Sequence, residues 1–180
     1  MGKRSSFPRR ERDNYPTPFS AVLPLLECLP PHTKFYEPCR GENDLVGHLT
    51  TAGRVLVGSS DEELDARTTQ YRIPEDSVFI TNPPWDRPTL HAILTNLSNQ
   101  APAWLLIDAD WAHTQQSIPY LPRLRTIVAT GRHRWIPGTK FTSKDNACWH
   151  LFNKPRPETR VVNFFGRTES AIADPKKRAA

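Results

Sequence analysis

The tetrapeptide Asn82-Pro83-Pro84-Trp85 has the residue types needed to hold a planar group that bears an amino substituent. Two successive prolines fix φ and stiffen the backbone. An Asn directly before proline is kept out of the helical region, so its side chain leaves the chain in a defined direction. Its amide offers both an acceptor and donors, and the indole that follows can stack on a flat ring. The same four residues also read as a stiff turn with a packed Trp, and residue type alone leaves both readings open. A second marked loop, Phe35 to Leu45, carries Glu37, Pro38 and Gly41. A carboxylate after a strand, followed by a Gly-containing turn into a helix, suits a nucleoside-like ligand that needs close backbone approach. A third segment, Thr130 to Lys144, mixes Arg132, Arg134, Lys140 and Lys144 with Trp135 and Phe141. That mixture suits phosphate contacts with base stacking, and it also reads as a basic hairpin at a sheet edge.

These loops act only where regular elements hold them. Strands are expected over 34–37, 54–58, 77–81, 103–107, 125–129 and 147–152. Helices are expected from Pro18-Phe19-Ser20, over 45–49 and over 89–99. The first helix buries Val22, Leu23, Leu25, Leu26 and Leu29, which requires Pro24 in its first turn. The third buries Leu90, Ile93, Leu94 and Leu97. Ala103 to Ile107 shows little alternation, as a strand covered on both faces should. Strand and helix alternate through residue 107, which predicts a parallel sheet with helices on both faces. The late strand pair predicts an antiparallel edge. Glu37 and Asn82 then both follow strands, at the carboxyl ends where open α/β sheets bind ligands.

At 180 residues the chain is expected to form one domain, spanning 14–168, with disordered basic tails at 1–13 and 169–180. Eighteen prolines against eight glycines predict a loop-rich fold with stiff turns. Net charge is +5 but divided: residues 13–120 carry −8 and residues 121–168 carry +8. Such segregation points the back part toward a polyanion, although solvated charge clustering gives the same count. No window approaches the roughly 18 apolar residues of a membrane span, so no membrane partner is expected. The basic start lacks the apolar stretch of a secretory signal. Cys28, Cys39 and Cys148 are odd in number and lack metal spacing, which favours a reducing, cytoplasmic setting without structural zinc. No nucleophile elbow or phosphate loop is present. Asp108 and Asp110 read first as loop caps and second as residues at a pocket mouth, and His133 and His150 as packed or surface histidines.

Taken with Tyr15-Pro16-Thr17-Pro18, these motifs resemble those of class I S-adenosylmethionine-dependent methyltransferases. Within that family the chain is most similar to the amino-group DNA methyltransferases that modify adenine, of the short phage or prophage type. Asn82-Pro83-Pro84-Trp85 resembles the catalytic motif, Glu37-Pro38-x-x-Gly41 the cofactor loop, and Tyr15 to Pro18 the N-terminal motif at the cofactor's methionine end. Their order is that of the gamma arrangement, and the resemblance runs from about Asp13 to Phe152. Two positions depart from the pattern. Asn43 stands where a second Gly is usual. Ser59 and Ser60 follow the second strand where an acidic residue is usual, leaving Asp61 as the nearest carboxylate.

The resemblance implies a Rossmann-like sheet, mostly parallel with an antiparallel edge strand. It implies S-adenosylmethionine held by Tyr15, Thr17, Glu37, Pro38, Gly41, Asp61 and Asp65, with no metal. It further implies that the Asn82 oxygen and the Pro83 carbonyl accept from the target amino group, with Trp85 stacked on a flipped base. DNA adenine is the expected substrate and the protein a monomer or weak homodimer. RNA adenine, a protein glutamine, or an inactive nucleic-acid-binding relative are the alternatives.

Overall fold

A computed structural model describes residues 15–42, 44–136, 142–143, 145–156 and 162–167. The expected tails, Asn43, Lys140, Phe141 and Lys144 lie outside them. The described chain forms α1 (Phe19–Cys28), β1 (Lys34–Glu37), α2 (Asp44–Thr51), β2 (Val55–Ser59), β3 (Ser77–Thr81), α3 (Arg87–Gln100) and β4 (Ala103–Asp108). Two 3-10 helices (Ala109–His113 and Gln115–Arg123) lead into β5 (Leu124–Gly131), and β6 (Ala147–Phe152) and β7 (Asn163–Phe165) follow. The seven strands form one sheet in the order β2-β1-β3-β4-β6-β5-β7.

β4 shows why the sheet is covered on both sides. All of Ala103 to Ile107 is buried, and its side chains alternate between two cores. Trp104 and Leu106 join Val22, Leu25, Leu45 and Leu49 from α1 and α2. Ala103, Leu105 and Ile107 join Leu90, Ile93, Leu94 and Leu97 from α3. The near-continuous apolar run is therefore two alternating faces, each with its own helical cover.

Three local expectations are corrected. First, the antiparallel strand is not at the edge: β6 runs between β4 and β5 and opposes both. Ala147 to His150 and Phe152 are buried, and a strand apolar on both faces is better placed inside the sheet than at its rim. The rim is instead β7, parallel to β5 and exposed at all three residues. Second, Pro24 lies in the second turn of α1, not the first. It cannot donate to the Ser20 carbonyl, but Ser20 is exposed, so water can satisfy that acceptor. Burial of Ala21, Val22 and Leu25 keeps the helix intact. Third, α3 starts two residues early, because Asp86 caps it by accepting from the Thr89 amide at 3.1 Å, and Pro88 fits the first turn. Among the described residues no helix is long and apolar enough to cross a membrane.

Candidate active site

β1 and β3 are parallel neighbours, whereas the chain runs from β1 outward to β2 before returning to β3. The strand order thus reverses between β1 and β3, and a crevice opens beyond their carboxyl ends. Glu37 ends β1 and Asn82 directly follows β3. A cleft of about 850 Å³ lies here. Tyr15, Thr17, Glu37, Pro38, Gly41, Asp61, Asp65, Asn82 and Pro84 all line it. Residues from four separate stretches of sequence are thus gathered at one switch point.

Glu37 is 1% exposed. Its Oε1 accepts from the Cys39 amide at 3.0 Å, while Oε2 is buried without a hydrogen-bond partner. Burial pushes its carboxyl up to about 8, against a smaller opposing pull from the Thr81 hydroxyl, which is near but makes no hydrogen bond, and from the Cys39 amide. A buried acceptor without a donor is costly, and this one sits in the wall of an open cleft. Donation from a ligand hydroxyl would satisfy it.

Asn82 is held from across the cleft. Its Nδ2 donates to the Thr17 hydroxyl at 3.2 Å and to the Tyr15 carbonyl at 3.5 Å. Thr17 is only 5% exposed, so this contact is shielded. With Nδ2 committed, Oδ1 is the atom left to accept from a ligand. Pro83 is buried, and Trp85 does not line the cleft. Trp85 donates from Nε1 to the Leu106 carbonyl at 3.0 Å and meets Trp135 edge-on, with centroids 5.9 Å apart. The tetrapeptide is therefore both a packed turn and a cleft wall, and the two sequence readings describe different halves of it.

Asp61 and Asp65 line the cleft but are already engaged. Asp61 pairs with Arg40 at 3.0 Å and accepts from the Glu63 amide. Asp65 pairs with Arg67 at 2.8 Å and accepts from the Arg67 amide. The Glu63 amide first and Arg40 after it hold the Asp61 carboxyl below the ordinary range, and the Arg67 guanidinium and then its amide do the same for Asp65. Arg40 and Arg67 themselves line the cleft. The sequence reading missed them, since nothing local pairs Arg40 with an acid 21 residues away.

The basic segment leaves the sheet at the end of β5. Arg132 and Arg134 are exposed there and lie outside the cleft. Between them His133 is 4% exposed and ties the segment to α1. Thr130 gives its hydroxyl hydrogen to the Ala147 carbonyl, so it accepts from His133 Nε2–H at 2.8 Å, and His133 Nδ1 accepts from the Ser20 hydroxyl at 2.9 Å. Burial, and secondarily Arg167, lowers the imidazole to about 4. Asp108 caps the following turn through the Asp110 amide, as expected. His150 is wholly buried, between Trp111 and Phe152. Among the described residues no group of His, Cys, Asp or Glu is arranged to hold a metal.

No family model matches the sequence, and no curated protein does. Similar folds occur among solved structures. A dimethyladenosine transferase from Plasmodium falciparum is 11% identical, with 79% of this chain and 62% of that one covered, at a TM-score of 0.50. A putative class I S-adenosylmethionine-dependent methyltransferase from Listeria monocytogenes is 10% identical over 89% and 67% of the two chains, with a TM-score of 0.49. The 23S rRNA methyltransferase ErmE is 14% identical over 79% and 69%, with a TM-score of 0.47. Such identities speak to fold alone. The sheet order with its single reversed strand, together with the first of these matches, gives the chain the Rossmann-like class I methyltransferase fold.

Proposed function

We propose that this chain is an S-adenosylmethionine-dependent methyltransferase acting on the exocyclic amino group of adenine in DNA. One observation carries the reading. Asn82, its amide set to accept by Thr17 and Tyr15, shares a cleft with the buried, half-satisfied carboxyl of Glu37. The residues present fit the cofactor, because Glu37 Oε2 needs a donor and an adenosyl ribose carries two hydroxyls. Glu37, Pro38 and Gly41 would hold that end, and Tyr15 the other. When bound, the cofactor supplies an electrophilic methyl group on a positively charged sulfur.

The chain's own residues orient the amine. Asn82 Oδ1 and the Pro83 carbonyl accept its two hydrogens, which directs the nitrogen lone pair out of the ring plane. Those bonds strengthen as the nitrogen becomes positive, so they act mainly on the transition state. The proton can leave to water after the new bond forms, and no strong general base is required. Trp85 lies outside the cleft, with Trp135 set edge-on against its ring, so in this reading a base rotated out of its stack meets the exposed part of that pair beside the cleft.

RNA adenine and a glutamine side chain present the same amino chemistry. The basic β5 exit favours nucleic acid over protein, and DNA is the first candidate. The test is expression in a host lacking adenine methylation, followed by a search for methylated adenine in its DNA and RNA. Methylated adenine in the DNA, abolished by Asn82→Ala, is the expected result. Label only in RNA or protein would reassign the substrate, and label nowhere would leave a binding protein.

A further inference from the structure

We propose that the outer edge of the sheet, formed by Phe165 and Arg167 beside the β5 exit, seats unpaired nucleotides that flank the modified base. The substrate class is then single-stranded or locally unpaired nucleic acid. The proposal rests on the nucleic-acid reading above and narrows it.

β7 is a three-residue strand whose side chains are all exposed, with Phe164 67% and Phe165 49% accessible. In register, Phe164 lies beside Ile127 and Phe165 beside Val128. Val128 belongs to the core under α1, whereas Ile127 packs on the α3 side. Register partners in parallel strands share a face, so the two phenyl rings stand on opposite sides of the sheet. Phe165 is on the α1 side, the side that Trp135 also packs against.

Arg167 continues from that side. A Cβ added at Gly131 would meet its Nη1 at 2.7 Å, so the guanidinium lies directly over the end of β5. Gly131 also has φ +88°, a conformation that glycine adopts without strain. The next residues are exposed Arg132, the His133 anchor, exposed Arg134 and then Trp135, whose ring meets Trp85. Among the described residues, Arg132, Arg134 and Arg167 form no ion pair with an acid. Cationic residues thus lead from an exposed phenyl ring and Arg167 at the sheet edge, in chain order through Arg132 and Arg134, to the indole pair at the tetrapeptide. Guanidinium groups attract phosphates in any nucleic acid. An exposed ring adds affinity only where a base offers its face, and paired, stacked bases do not. Charge complementarity selects a polyanion, and the ring selects its unpaired form.

The test measures binding of labelled oligo-dT, oligo-rU and a closed duplex hairpin to the full chain, by anisotropy at low salt. Phe165→Ala is expected to weaken oligo-dT or oligo-rU binding about fivefold or more and to leave hairpin binding within twofold. Phe165→Tyr should keep the affinity, and Phe164→Ala, on the other face, should change it by less than twofold. Arg167→Ala should flatten the dependence of log K on log salt by about 0.7. Oligo-dT against oligo-rU tells which nucleic acid is preferred. Intact fold in each variant is read from the melting temperature. Equal losses from Phe164→Ala and Phe165→Ala, together with a concentration-dependent dimer, would make the edge a self-association surface and overturn the proposal. If Arg132→Ala and Arg134→Ala weaken binding but Phe165→Ala and Arg167→Ala do not, the edge proposal falls and the nucleic-acid reading stands. No binding by the wild type at low salt would remove both.

Discussion

At the scale of single residues, the proposed chemistry depends on how two side chains are held. Asn82 is useful because its Nδ2 is occupied by Thr17, which leaves the acceptor facing the cleft. Thr17→Val keeps the shape but removes that acceptor, so the amide is free to turn over and present a donor. Single-turnover methyl transfer should then fall by about tenfold, the cost of roughly one hydrogen bond of 1.4 kcal/mol, while Thr17→Ser should restore it. Asn82→Ala should remove turnover and leave cofactor affinity within a few-fold. Loss of cofactor binding in Asn82→Ala would show that the tetrapeptide only shapes the loop. Glu37 carries the matching prediction for the cofactor. Its carboxyl titrates near 8 in the folded chain, against 4.5 when exposed. Hydroxyl donors prefer the ionised form, so cofactor affinity should rise from about pH 6 to pH 8 with proton release. Glu37→Gln should flatten that profile, as calorimetry in buffers of different ionisation enthalpy can measure.

At the scale of elements, the same titrations bear on stability. The folded state keeps the Glu37 proton after the unfolded chain has lost it. Its contribution is therefore full below about pH 4.5 and lost as pH rises through 8. His133 has the opposite sign. Its folded value is lowered from 6.5 to about 4, so its contribution is full above pH 6.5 and lost as pH falls through 4. His133 joins α1 to the β5 exit through Ser20 and Thr130, so its loss should loosen the segment that carries Arg132, Arg134 and Trp135. We expect His133→Ala to lower the melting temperature at pH 7 and to reduce the loss of stability on acidification. An unchanged acid limb would show that the imidazole is not the group that titrates. Asp86→Ala tests α3 separately. Removing this cap should cost about 1 kcal/mol in denaturant unfolding.

Across the whole molecule, charge and fold are arranged together. The acidic part of the chain supplies Glu37, Asp61 and Asp65 to the cleft, and the basic part supplies the exposed cations beyond β5. A polyanion should therefore approach over the β5 exit and reach the cleft only with its reactive group. Nucleic-acid affinity should fall steeply between about 50 and 200 mM salt. Arg132→Ala and Arg134→Ala should weaken binding evenly across sequences and reduce the slope. Affinity indifferent to salt over that range would count against nucleic acid as the partner.

What the residues determined alone is mostly local. The apolar runs of β1, β3, β4 and β6 and the apolar stripe of α3 were legible because periodicity and burial are written along the chain. Asn82-Pro83-Pro84-Trp85 and Glu37 to Gly41 were legible because proline and glycine restrict the backbone wherever they occur. Their meeting was only partly legible, through the expectation that two loops after parallel strands share an edge. Tertiary structure decided the rest. β7 is a three-residue strand with no buried position, so no pattern marks it. The interior place of β6 depends on which strands it pairs with, which its own residues do not state. Asp61 and Asp65, expected at the cofactor, are already paired with Arg40 and Arg67. The Thr17 contact to Asn82 and the meeting of Trp85 with Trp135 span 65 and 50 residues of sequence. Contacts of that range exist only once the chain has folded and its loop-closure entropy is spent. The chain itself wrote which residue types end β1 and follow β3; folding decided which of their atoms face the cleft unpartnered.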